Sequence, residues 1–150
     1  MITVARVTHP EELKEVFAVR EAVFVREQRV PAEEEYDEFE DRSRHFLAQA
    51  DGVPCGTARW RTTSGGVKLE RFAVLKPFRG RGVGRSLVRT VLDDVFAQHS
   101  PPPGPLYLHA QVPAMPLYAG FGFEAVGDPF DECGIQHYKM MLPAHLYPQP

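Results

Sequence analysis

The stretch Arg79-Gly80-Arg81-Gly82-Val83-Gly84 decides how this chain folds and what it can hold. Ahead of it, Val67 to Leu75 reads as a strand ending in apolar Phe72, Ala73, Val74 and Leu75, as a central strand does. Pro77 stops that strand, because proline has no donor to offer a ladder. Behind the stretch, Leu87, Val88, Val91, Leu92, Val95 and Phe96 recur at helical spacing, so a helix begins near Gly84. The first N–H groups of that helix lack internal partners and sit at the positive end of its dipole, a setting that takes phosphate groups readily. Glycines at 80, 82 and 84 let the backbone approach an anion and adopt positive φ. Arg79, Arg81 and Arg85 add charge and bidentate donors. A glycine turn with incidental arginines is the competing reading. The spacing excludes two phosphate sites: no lysine follows as a Walker loop requires, and a dinucleotide fingerprint would need glycine where Arg85 stands.

The elements outside this turn follow from periodicity. Ile2 to Val7 alternates as a half-buried strand. Thr8 is placed to cap a helix with Pro10, Glu11 and Glu12 in its first turn, and Leu13, Val16, Phe17, Arg20, Val23 and Phe24 trace one face. Gln28 to Arg44 reads as a loop or a short second helix. His45–Ala50, Pro54–Thr62 and Val67–Leu75 form three antiparallel strands, joined by Asp51-Gly52 and Ser64-Gly65-Gly66. Leu106–Ala110 is a strand, Pro113 opens a helix closed by Gly120 and Gly122, and Phe123–Val126 and Gln136–Leu142 are the last strands. Residues 143–150 read as an irregular tail. The expectation is one α+β domain over residues 1–150, a mixed sheet of about seven strands flanked by about four helices.

Composition narrows the function. The 150 residues are 43% hydrophobic and 25% charged, an ordinary globular balance. No apolar run approaches the roughly 20 residues that span a bilayer, and the N-terminus lacks a signal-peptide pattern. A cytoplasmic protein without membrane partners is expected. A net charge of −3 does not suit a nucleic-acid partner. Cys55 and Cys133 make neither a disulfide framework nor a metal site, and no metal is expected.

Arg79-x-x-Gly82-x-Gly84 resembles the R/Q-x-x-G-x-G/A motif of the GNAT family of N-acetyltransferases, at the place that family gives it between a fourth strand and a third helix. A second segment, Ala114 to Phe123, is similar to the family's A-x-x-x-Y-x-x-x-G-F run, with Tyr118 as its tyrosine. Val25-Arg26-Glu27-Gln28-Arg29-Val30-Pro31 and the run Pro129 to His137 resemble the ElaA-like subgroup of bacterial acetyltransferases. The resemblance implies acetyl-CoA as co-substrate, with direct attack of a primary amine on the thioester. It implies that Phe72, Ala73 and Val74 flank the pantetheine arm, with the Val74 amide donating to the carbonyl. The turn Arg79, Gly80, Arg81, Gly82, Val83, Gly84 and Arg85 is implied to take the pyrophosphate. Gln111, seven residues before Tyr118, stands where the family often has asparagine.

Tyr118 is the implied acid for the departing thiolate; core filling is its bland alternative. Glu70 and His137 are the candidate bases, with Glu27, His45 and His109 behind them. Strand alternation would put Glu70, Phe72 and Val74 on one face, and His137 follows an expected acidic loop, Asp128 to Glu132. The acids from Glu33 to Asp41 would draw a cationic small-molecule or peptide amine, such as a polyamine or aminosugar. Exposed strands at the C-terminal sheet edge suit a homodimer. Competing functions are an acyl-CoA-binding sensor without turnover and an anion-binding interaction module.

Overall fold

The computed structural model describes residues 1–149. Strand β1 (Ile2–Arg6) leads to helix α1 (Pro10–Arg20), which continues as a π-helical turn over Glu21–Glu27. His9 rather than Thr8 caps α1, since Pro10 suits the first helical position; the Glu12 carboxylate accepts the His9 N–H. A single turn, α2 (Ala32–Glu35), precedes β2 (Arg44–Ala50), β3 (Val53–Thr63) and β4 (Gly66–Val74). Helix α3 (Val83–Gln98), β5 (Leu106–Gln111), α4 (Met115–Ala119), β6 (Glu124–Glu132) and β7 (Ile135–Leu142) complete the chain. No helix among the described residues is long and apolar enough to cross a membrane.

The seven strands form one sheet in the order β1-β2-β3-β4-β5-β7-β6. Every neighbouring pair is antiparallel except β4 and β5. That parallel pairing holds only from Val67–Leu106 to Leu69–Leu108; beyond it the two strands part.

The core lies between the sheet and α3. Leu87, Val88, Val91 and Val95 are fully buried against Phe46, Ala58, Trp60, Leu69 and Leu106, each aliphatic side chain contributing about 1.5–3 kcal/mol by leaving water. Gly56 makes this close packing possible: a Cβ there would stand 3.0 Å from Val83 Cγ1 and 3.0 Å from the Ala73 oxygen. On the other face α1 and the π-turn lay Val19, Val23 and Phe24 over Ala73.

Strand β4 contains a bulge that alternation alone does not foresee. Glu70 pairs with Arg59 and Ala73 with Thr57, so Arg71 and Phe72 together oppose Ala58. Arg71 takes φ 58° to accommodate the extra residue. The faces therefore exchange at this point. Glu70 and Ala73 share the α1 side, while Phe72 and Val74 pack on the α3-side core. The expected common face of Glu70, Phe72 and Val74 is corrected accordingly.

One further expectation changes. Asp128 to Glu132 is not a loop but belongs to β6, with a register shift between Val126 and Phe130. In the tail Ala144–Leu146 forms a 3₁₀ turn, and the Tyr147 hydroxyl accepts the Leu106 N–H at 3.1 Å; residue 150 lies outside the described residues.

Candidate active site

A cavity of about 520 Å³ opens where β4 and β5 part. Phe72, Val74, Gly84, Leu117 and Tyr118 line one end, and Glu35, Glu70, His109 and His137 the other. Backbone polarity directs this opening. Leu75 donates to the Cys55 carbonyl at 2.8 Å, so the preceding pair, Val74 with Gly56, is of the non-hydrogen-bonded type. The Val74 N–H and C=O accordingly point away from β3, toward the gap.

The anion cradle forms at the mouth. Gly80 and Gly82 have φ of 78° and 84°, a region that favours glycine. Gly82 caps α3 without a side-chain bond, and the first helical bond is Ser86 N–H to the Gly82 carbonyl at 3.1 Å. Amides ahead of Ser86 thus have no helical partner. Arg81, Arg85 and Arg89 have no ion-pair partner among the described residues, and Arg81 rests 5.4 Å from the Phe78 ring centroid. This donor set suits a diphosphate.

Arg79 stands apart from that set. Its Nε donates to the Val74 carbonyl at 2.9 Å, while Nη1 and Nη2 donate to the Glu27 carboxylate at 2.8 and 2.7 Å. Its charge is engaged rather than offered to the turn. The next residue along the π-turn, Gln28, exchanges two amide hydrogen bonds with Gln111 on β5, at 3.3 and 2.8 Å. Glu27 and Gln28 together strap the gap, one holding its β4 lip and the other its β5 lip.

Comparison with known proteins settles the family. Residues 6–143 match the family described as Acetyltransferase (GNAT) domain. The chain belongs to the GNAT acetyltransferase family. It is 42% identical over 132 residues to the Bacillus subtilis protein named Uncharacterized N-acetyltransferase YjcF, covering 87% of this chain and 92% of that one. It is 30% identical over 133 residues to Escherichia coli Protein ElaA, covering 86% of each. The crystal structure of E. coli ElaA superposes with a TM-score of 0.79 at 27% identity, over 95% of this chain and all of that one. An acyl-CoA N-acyltransferase from Pseudomonas aeruginosa superposes with a TM-score of 0.77 at 26% identity, over 95% and 99%. This acetyltransferase therefore shares its seven-stranded sheet and helix placement with ElaA-like structures.

Within the acetyltransferase, α4 delivers Tyr118. Its ring packs edge-on against Phe72 at 5.5 Å and Phe123 at 6.3 Å, and its hydroxyl makes no hydrogen bond to the described residues. Burial raises the phenol above its ordinary value, so it holds its proton. Gly122 fixes the turn after α4: it has φ 100°, and an added Cβ would collide with Leu146.

The candidate bases differ in surroundings. His137 is nearly buried on β7, and its Nδ1 lies 2.7 Å from the Ile135 carbonyl. A carbonyl only accepts, so Nδ1 carries the hydrogen and Nε2 keeps a lone pair. His109 sets its Nδ1 3.2 Å from Glu132 and lines the same cavity. His45 lies outside that cavity, with Nε2 on the Glu40 carbonyl at 2.9 Å; burial lowers its basicity.

Glu70 is engaged by cations. Burial resists its charge, but Arg59 at 2.8 Å, Arg61 at 2.7 Å and Lys68 at 3.5 Å override that and hold its carboxyl below the usual range. Such a carboxylate accepts protons weakly. Sequence reasoning missed the buried arginines behind it. Arg20 and Arg59 are both fully buried; Arg20 meets Glu35 and Glu40, and Arg59 meets Asp37, Glu40 and Glu70. One signal was present: Arg20 sits on the apolar face of α1 among Val16, Val23 and Phe24.

Proposed function

We propose that the chain transfers the acetyl group of acetyl-CoA to a primary amine by direct attack within a ternary complex. One observation carries the reading: Gly84, at the start of α3 beside the anion cradle, and the Tyr118 and His137 side chains line one cavity. When bound, acetyl-CoA supplies an activated thioester there.

The residues divide the proton work. Nε2 of His137 takes the proton that the amine gives up as its nitrogen bonds the acetyl carbon. The Val74 N–H, directed into the gap, donates to the carbonyl oxygen as charge develops on it. The Tyr118 hydroxyl returns a proton to the sulfur when the carbon–sulfur bond breaks. Phe72, Ala73 and Val74 line the pantetheine path. Gly80 to Arg85 cradle the diphosphate, and Gln111 borders the arm from β5. Glu70, held by four nearby cations, positions the acceptor floor rather than serving as the base.

The test pairs thermal unfolding with turnover. Saturating acetyl-CoA at about 100 times its Kd stabilises the fold by roughly 2.7 kcal/mol, whereas ATP and NAD do not. Amine-dependent release of free CoA then identifies acceptors. Absence of both responses refutes the reading.

A further inference from the structure

Of the seven acids between Glu33 and Asp41, Glu33, Glu34, Glu38 and Asp41 are exposed with no ion-pair partner among the described residues, and the other three are neutralised. Glu35, Asp37 and Glu40 are engaged by Arg20, Arg59 and Arg71, at distances of 2.6–3.2 Å. Together with Glu70 they make four carboxylates, which face five cations: Arg20, Arg59, Arg61, Lys68 and Arg71. The cluster itself holds one more cation than carboxylates, with Glu34 and Glu132 flanking it on the cavity wall. Of the five, Lys68 and Arg71 line the cavity.

Both retain unused donors. Arg71 is oriented by Glu35, whose carboxylate lies 3.1 Å from Nε, and by Asp37, 3.2 Å from Nη2. Its Nη1 finds only Glu70, at 4.0 Å, beyond hydrogen-bond reach. Its buried Nε lacks an aligned acceptor as well. Lys68 has one ion-pair partner, Glu70, at 3.5 Å, and its charge also reaches the Glu132 carboxylate. A long side chain held at φ 58° on a bulge is a strained arrangement of the kind that persists at ligand sites. Glu34 and Glu132 border the same cavity, so it presents both signs of charge.

We propose that the acceptor is a small primary amine that also carries an anionic group, a carboxylate or a phosphate, bound by Arg71 and Lys68. This rests on the acetyl-transfer reading and names its substrate class. A planar guanidinium braced by two carboxylates offers its free edge to such an anion, and the Lys68 ammonium adds a second donor. Glu34 and Glu132 then face the amine end. A polyamine would leave the cationic pair unmatched.

Calorimetric titration of the free and CoA-saturated chain tests this with matched amines. The pairs are L-phenylalanine with phenethylamine and phosphoethanolamine with ethanolamine, and spermidine is the polyamine control. The anion-bearing member of at least one pair binds about tenfold or more tightly than its neutral partner, and the winning pair identifies the anion. Lys68→Met and Arg71→Asn (asparagine tolerates the left-handed backbone) remove about tenfold from that member alone. Equal or tighter binding of the neutral members or spermidine overturns the proposal. So does failure of every anion-bearing amine to bind, or an equal loss for both members in the variants. Acetyl-CoA binding and CoA release, read on the same samples, report separately on the acetyl-transfer reading.

Discussion

Glu27 and Arg79, 52 residues apart, form a two-bond ion pair whose arginine also holds the Val74 carbonyl. A residue of the π-turn thereby sets the geometry of the strand end that borders the cavity. Both side chains are 40% exposed, so the pair is worth no more than about 1 kcal/mol of stability. Its expected effect is on cofactor affinity. Glu27→Gln weakens acetyl-CoA binding about threefold to tenfold with kcat little changed, as initial-rate kinetics will show. Arg79 lowers the Glu27 carboxyl below its ordinary value. The link is thus complete above the ordinary carboxylate range and is lost as pH falls through the lowered value.

Tyr118→Phe removes one hydroxyl and leaves the ring edge-on against Phe72 and Phe123. The variant loses about 10²-fold or more in kcat while acetyl-CoA raises its Tm as in the parent protein. An unchanged kcat assigns the ring to packing alone.

His137→Gln keeps a donor for the Ile135 carbonyl but removes the basic nitrogen. The kcat falls about 10²-fold while acetyl-CoA still raises the Tm. An unchanged kcat transfers the role to His109, the other imidazole on the cavity wall.

Arg59→Met strips Asp37, Glu40 and Glu70 of their shared partner and destabilises the fold by about 3–5 kcal/mol in urea titrations. The acid side of the same network has a defined direction. Burial opposes the charge of Asp37, yet the Arg59 guanidinium overrides it and holds its carboxyl at about 2. Since the unfolded value is about 3.9, this stabilisation is complete above that pH and lost as pH falls toward 2. Asp37→Asn therefore lowers the urea midpoint at neutral pH, and the difference narrows in acid.

The sequence spoke clearly where a local rule operates. Asp51-Gly52 has positive φ at both residues, as the type I′ hairpin turn demands, and it fixes the β2–β3 pairing. The turn from Gly80 to Gly84 and the apolar face of α3 were equally plain, because glycine and helical periodicity carry their own signals. Arg71 was not plain. Arginine gives no hint of a left-handed backbone, and Glu35 and Asp37, distant in sequence, hold it there. The missed bulge then misplaced Phe72 and Val74 relative to Glu70. The acid run was legible only in part for a related reason: Glu35, Asp37 and Glu40 are met by Arg20 and Arg59, brought against them from α1 and β3.

The short ladder between β4 and β5 gives the molecule a mechanical seam. Four strands, β1 to β4, form one antiparallel ribbon and three, β5 to β7, form another; only three residue pairs join them edge to edge. A molecule lodged in the gap would brace two halves that otherwise lean on α3, the strap from Glu27 to Gln28 and that brief ladder. Occupancy would then be felt farther away than the cavity wall, as slower amide exchange on both ribbons at once.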